Sequence, residues 1–149
     1  EALVKHAHLY NARIYVTVNT ILKEEELKEA EEMIHALYRV GVDALIVQDM
    51  GITKLNLPPI PLHASTQMTI TDSGYADFLR KYNVTRIVPA RELELEEIRD
   101  IHDRTGMEIE CFVHGALCYC YSGLCLMSSF IGGRNNVWYC WICRGKRLY

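Results

Sequence analysis

The run Arg86-Ile87-Val88-Pro89-Ala90 is followed by Leu95 to Thr105, then Gly106, then Glu108-Ile109-Glu110-Cys111-Phe112-Val113. The first piece is short, apolar and β-branched, the pattern of a buried strand. The second reads as a helix closed by its glycine, and the third as another strand. A strand, a helix and a strand within so few residues predict two parallel strands joined by a crossover.

Working outward, the same alternation recurs. Ile14-Tyr15-Val16-Thr17-Val18-Asn19 reads as a strand, Ala44-Leu45-Ile46-Val47-Gln48 as a second, and Leu62-His63-Ala64-Ser65-Thr66 as a third, entered after Pro58, Pro59 and Pro61. Leu3 to Tyr10, Lys23 to Val40 and Asp72 to Tyr82 have helical patterns. In the long one, Leu27, Ala30, Ile34 and Leu37 line one face, Glu24-Glu25-Glu26 favour its N-terminus, and Gly41 is placed to cap it. The predicted order is α-β-α-β-turn-β-α-β-α-β. This spacing predicts an α/β fold, a partial TIM-like (β/α) barrel of about five parallel strands. A flavodoxin-like open sheet is the competitor. No glycine-rich dinucleotide loop follows any strand, which weakens a Rossmann reading.

The 149 residues hold 16 Lys plus Arg against 19 Asp plus Glu, a formal charge of −3, and half of them are hydrophobic. That composition excludes a disordered, collagen-like or low-complexity chain and fits one globular domain. No uncharged apolar run reaches the ~18 residues a membrane helix needs. Glu1-Ala2-Leu3-Val4-Lys5-His6 has neither the basic nor the apolar region of a signal peptide, and with no initiator Met the expectation is a chain processed or cut from something longer. Within the one domain, residues 1–114 are expected to form the barrel segment and 115–149 a Cys-rich extension.

Every predicted strand ends in polar residues. These are Asn19 and Thr20; Gln48 and Asp49; Ser65, Thr66 and Gln67; Arg91 and Glu92; and His114. In a parallel barrel all would emerge at the carboxyl face, where barrel enzymes keep their chemistry. Any single polar strand end is explained by loops being polar, but five of five argue for a shared pocket. Arg91 can fork a carboxylate or phosphate. Asp49 and Glu92 are general-base candidates, with a structural role as the competing reading. Asn19, His63 and Gln67 are candidates for binding substrate, His63 because strand alternation can point it into the barrel. Of the six His, His6, His8, His35 and His102 fall on predicted helices and read as surface or rim, while His114 is the catalytic candidate. The spacings of a zincin and of an α/β-hydrolase elbow are both absent.

All six Cys lie between positions 111 and 143. A secreted disulfide scaffold would spread them across the fold. Clustering at one end reads as a soft-metal site in a reducing, cytoplasmic setting, with buried small hydrophobes as the alternative. Cys111 sits in the fifth predicted strand and is expected to be buried without metal. Cys118 and Cys125 flank Ser122-Gly123, a turn that can fold the chain back on itself, with Cys120 in reserve as a ligand. Only one Cys-x-x-Cys knuckle occurs, at Cys140 and Cys143, so zinc fits less well than an iron–sulfur cluster. From Arg134 onward the chain has Arg134, Arg144, Lys146 and Arg147 and no acid, which points to an anionic partner such as RNA or a small anion, against the alternative of a solvated terminus.

The stretch Glu110-x-Phe112-x-x-Gly115-Ala116-Leu117-Cys118-x-x-x-x-Gly123-x-Cys125-x-Met127-Ser128 resembles the signature of the collagenase-like peptidases, peptidase family thirty-two. Val16 to Thr20, Asp43 to Asp49, His63 to Gln67 and Ala90 to Leu93 resemble the same family. It includes prephenate-dependent RNA hydroxylases and ubiquinone-pathway hydroxylases. The resemblance implies a TIM-like barrel of which this chain is the middle. It also implies a 4Fe–4S cluster on Cys118, Cys125 and Cys140, with Cys143 as the fourth ligand. The family's second Cys pair is Cys-x-x-x-Cys, whereas Cys140 and Cys143 are one residue closer. The implied activity is hydroxylation of RNA bases or a ring substrate. The alternatives are collagenase-like cleavage of peptides and a metal-stapled, non-enzymatic binding module. Five strands do not close a barrel, so self-association of the chain is also expected.

Overall fold

The computed structural model describes residues 1–115, 118, 120–126 and 130. The β-branched runs form one sheet: β1 (Tyr15–Val18), β2 (Ala44–Val47), β3 (Leu62–Ala64), β4 (Val84–Ile87) and β5 (Glu108–Ile109). All neighbours pair in parallel, in the order β1-β2-β3-β4-β5. Among the described residues the order lacks the reversal that defines a flavodoxin-like switch point.

The register assigns each side chain to a face, because residues directly paired across parallel strands point the same way. Val18, Val47, Ala64, Ile87 and Ile109 form one row. The first four of these are buried, and they share one apolar cluster with Val4, Ile34, Ala76, Leu79 and Ile101. Those five come from α1 (Ala2–Leu9), α2 (Leu27–Arg39), α3 (Ser73–Arg80) and α4 (Leu95–Thr105). All four helices therefore serve the same face of the sheet. Thr17, Ile46, His63, Arg86 and Glu108 form the opposite row, which is polar except for Ile46 and in part exposed.

β4 carries an irregularity that sets this division. Val84 and Ile87 are both buried but three positions apart, which plain alternation forbids. The register skips one residue, pairing Leu62 with Val84 and His63 with Arg86. The extra residue, Thr85, forms a bulge and re-aims Arg86 beside His63.

The helix ends follow their sequence signals. Asp72 accepts the Tyr75 amide at 2.8 Å to cap α3, and Glu94 with Glu97 forms a capping box at α4. Gly106 closes α4 in the left-handed region, at φ 64°.

Three expectations are corrected. The acidic run Glu24–Glu26 is a separate 3₁₀ turn ahead of α2 rather than its first turn. A 3₁₀ turn at Met50–Lys54 occupies a segment read as a connection, and another at Thr66–Met68 starts at a residue read as the end of the third strand, which stops at Ala64. β5 does not run to Val113. Its ladder ends with the Glu110 amide on the Ile87 carbonyl at 2.9 Å, because Pro89 on the neighbouring strand has no N–H to continue it. Cys111, expected to be buried, is consequently exposed, as are Phe112 and Val113.

Among the described residues no helix is long and apolar enough to cross a membrane.

Candidate functional site

The polar residues that end the strands lie, as the parallel pairing requires, at one end of the sheet. Asn19 Nδ2 donates to Ser65 Oγ at 3.4 Å, and Gln48 Nε2 donates to the Gln67 carbonyl at 3.4 Å. These bonds bring the ends of β1, β2 and β3 together. Asp49 uses both oxygens on backbone, accepting from the Leu22 and Gly51 amides at 2.7 Å each. It ties the loop after β1 to the turn after β2, which leaves its carboxylate engaged as a structural acceptor.

A second group forms where β3 and β4 end, around Ser122. This serine is fully buried, with 0% of its surface exposed, although it lies in the cysteine segment far along the chain. All its polar atoms are engaged. Its amide donates to Glu92 Oε1 at 2.6 Å and its carbonyl accepts from Thr69 Oγ1 at 2.8 Å. Its Oγ accepts from the Arg91 amide at 3.1 Å and from Thr66 Oγ1 at 3.4 Å, and its hydroxyl also bonds Glu92. Arg91 Nη2 donates to the Cys120 carbonyl at 2.8 Å. Burial pushes the Glu92 carboxyl up, but the bonds from Ser122 and its own backbone and the Arg91 charge outweigh this, so its pKa lies below the ordinary value.

The backbone around Ser122 is adapted to this docking. Gly123 has φ 75°, and a Cβ there would collide with the Thr69 hydroxyl and the Gln67 carbonyl. Thr69 is itself left-handed at φ 54°, a conformation costly for a β-branched residue. The Leu124 amide returns to the Tyr121 carbonyl at 3.2 Å, so the expected Ser122-Gly123 turn is present. The sequence shows this turn, but not that Ser122 is its anchor: a serine beside a glycine between two cysteines marks a turn and nothing more.

Cys118, Cys120 and Cys125 are half-buried. Cys140 and Cys143, the other proposed metal ligands, lie outside the described residues. Among the described residues no group of three or more His, Cys, Asp and Glu is placed to hold a metal ion. The donor chemistry itself, soft thiols on a turn that folds back, suits a thiolate-bound metal or cluster.

The remaining candidates are dispersed. His114 is exposed beyond β5, at the same end of the sheet as Arg91. Arg91 lines a hollow of about 200 Å³ with Cys111, Phe112 and Val113, but Asn19, Asp49, Gln67 and His114 do not line it. His63 belongs elsewhere. It is 4% exposed, meets Tyr15 edge-on at 4.8 Å between ring centroids, and borders a cavity of about 300 Å³ with Arg13, Asp43, Arg86 and Glu108. Arg13, Asp43 and Pro61, which also border that cavity, precede their strands, so it opens toward the amino end of the sheet, away from the strand-end group.

A single parallel sheet backed by helices on one face, with a cysteine turn docked at the carboxyl ends of its strands, defines an α/β protein. Residues 1–141 match the model of peptidase family U32, and the chain belongs to that family. It is 55% identical over 133 residues to the 23S rRNA 5-hydroxycytidine C2501 synthase of Escherichia coli, covering 89% of this chain and 20% of that protein. It is 39% identical over 138 residues to the uncharacterized protease MJ0090 of Methanocaldococcus jannaschii, covering 89% of this chain and 34% of the relative. Against the tRNA hydroxylation protein P of Escherichia coli it is 38% identical over 136 residues, covering 89% and 30%. The chain thus spans a fifth to a third of these relatives' length. Among solved structures, the U32 peptidase Mk0906 matches with a TM-score of 0.60 and 13% identity, covering 74% of this chain and 49% of that one, a likeness of fold.

Proposed function

We propose that this chain is the core segment of an enzyme that hydroxylates a base in RNA. The observation that carries this reading is the 55% identity to a protein named as an rRNA hydroxycytidine synthase, alongside similarity to proteins named for tRNA hydroxylation. The sheet is proposed to be part of a TIM-like barrel. Strands in unreversed order, helices on one face and a largely polar opposite row support it.

A 4Fe–4S cluster is proposed on Cys118, Cys125, Cys140 and Cys143, and it would supply one-electron chemistry when bound. The thiols of Cys118 and Cys125, on either side of a turn docked to the strand ends, support that assignment. Of the strand-end residues, exposed His114 is proposed to move protons, and Asn19 and Gln67 to orient the substrate. Peptide cleavage is supported only by the family's name and by the relative named as a protease. Ser122 is a poor nucleophile for it, being fully buried with its hydroxyl committed to hydrogen bonds.

Two measurements test this. Anaerobic purification should give iron, acid-labile sulfide and a broad visible band, whereas zinc alone would overturn the cluster and favour a metal-stapled module. Disrupting the gene should remove one oxygenated nucleoside from rRNA or tRNA digests. Unchanged RNA together with peptide hydrolysis by the purified protein would replace hydroxylation with proteolysis.

A further inference from the structure

We infer that Thr66, Thr69, Arg91 and Glu92 are positioning residues that latch the cysteine turn onto the ends of β3 and β4 through the single buried residue Ser122. The role deepens the reading above and rests on it only for the identity of what the cysteines hold. Two loops that are far apart in sequence, one after β3 and one after β4, send side chains to one residue. Together they satisfy its amide, its carbonyl and its hydroxyl, and Arg91 adds the Cys120 carbonyl two residues earlier.

A serine is a poor driver of burial on its own, since its polar atoms cost free energy when removed from water without partners. Its complete burial therefore follows from the bonds it makes. The contact holds one costly backbone conformation, a left-handed Thr69, and one close approach, at Gly123, with no space for a Cβ. Both lie at the contact between the strand ends and the turn. Cys118 and Cys125 stand four and three residues from this anchor, so fixing Ser122 limits where both sulfurs can go. Thiolates that share a metal or cluster must converge on a few atoms, and a chain held in advance pays less ordering entropy on binding. In this assignment Arg91 and Glu92 act through the cysteine turn rather than on substrate.

The test compares Glu92→Ala and Thr69→Val, which delete an acceptor and a donor, with Glu92→Gln and Thr69→Ser, which retain them. None of these positions belongs to the apolar cluster, and Cys111, exposed and outside the latch, is an internal reference. The full chain, reduced and stripped of metal, is labelled with iodoacetamide, and each cysteine is followed by mass spectrometry. Glu92→Ala and Thr69→Val should label Cys120 and Cys125 about tenfold faster, the change in an opening equilibrium that follows loss of one good hydrogen bond. Cys111 should be unaffected, and the Gln and Ser variants should behave as the parent. In anaerobically loaded protein, the same two deletions should speed loss of iron to a chelator. Unchanged Cys120 and Cys125 rates, or a rise shared equally by Cys111, would overturn the latch. A parent protein that holds no iron but shows the labelling pattern would overturn the cluster and leave the latch standing.

Discussion

Burial, and secondarily the Arg86 guanidinium, holds the His63 pKa below its ordinary 6.5, while Glu108 and Glu110 pull weakly the other way. The ring has Tyr15 from β1, Arg86 from β4 and the two carboxylates of the β5 region around it, and its Nδ1 has no hydrogen-bond partner among the described residues. A base whose folded pKa is depressed takes up protons on unfolding, so its contribution is present above pH 6.5 and is lost as pH falls through that value toward the folded pKa. Lowering the pH from 7.5 to 5.5 should therefore reduce the thermal midpoint, and His63→Phe should flatten that part of the profile. An unchanged slope in the variant would place the titration elsewhere. At Ile87, fully buried in the helix-facing row, truncation to Ala should cost about 2–5 kcal/mol in urea unfolding. A loss below about 1 kcal/mol would mean this row is not the core.

At the scale of elements, legibility followed how local the signals are. α4 was read as Leu95 to Thr105 and is found there, because its capping box and its glycine stop are encoded within the helix's own few flanking residues. The apolar run Ala44–Val47 was equally plain as a strand. β4 was not: it starts at Val84, two residues before the reading, because a bulge at Thr85 breaks the alternation that sequence periodicity relies on. The strand-end residues were visible as a set, but their division was not. Asp49 and Arg91 each commit a polar atom to a loop distant in sequence, and His63 turns to a cavity at the other end of the sheet. Two glycines with positive φ separate local from tertiary constraint. Gly106 has open space around its missing Cβ, so Gly106→Ala should cost only the backbone term, about 1 kcal/mol. Gly123 meets backbone and side chain at once, and Gly123→Ala should expose the cysteine turn to protease while the rest of the fold survives. Equal proteolysis of the two variants would contradict the docking of the turn.

For the whole molecule, among the described residues β1 and β5 each pair with one strand, and the largely polar row opposite the helices lies open in part. Unpaired edges of this kind recruit further strands. The 149-residue chain alone should therefore self-associate, and size-exclusion chromatography with light scattering showing a stable monomer would speak against an incomplete barrel. The functional account unites the sheet, the docked turn and the thiols, and it stands or falls on what the cysteines do for RNA. The direct measurement is nucleoside mass spectrometry of rRNA and tRNA from a gene-disrupted strain complemented with the parent, Cys111→Ser or Cys125→Ser. The account predicts that the oxygenated nucleoside is lost on disruption, restored by the parent and by Cys111→Ser, and not restored by Cys125→Ser. Restoration by Cys125→Ser, or RNA unaltered by the disruption, would contradict it.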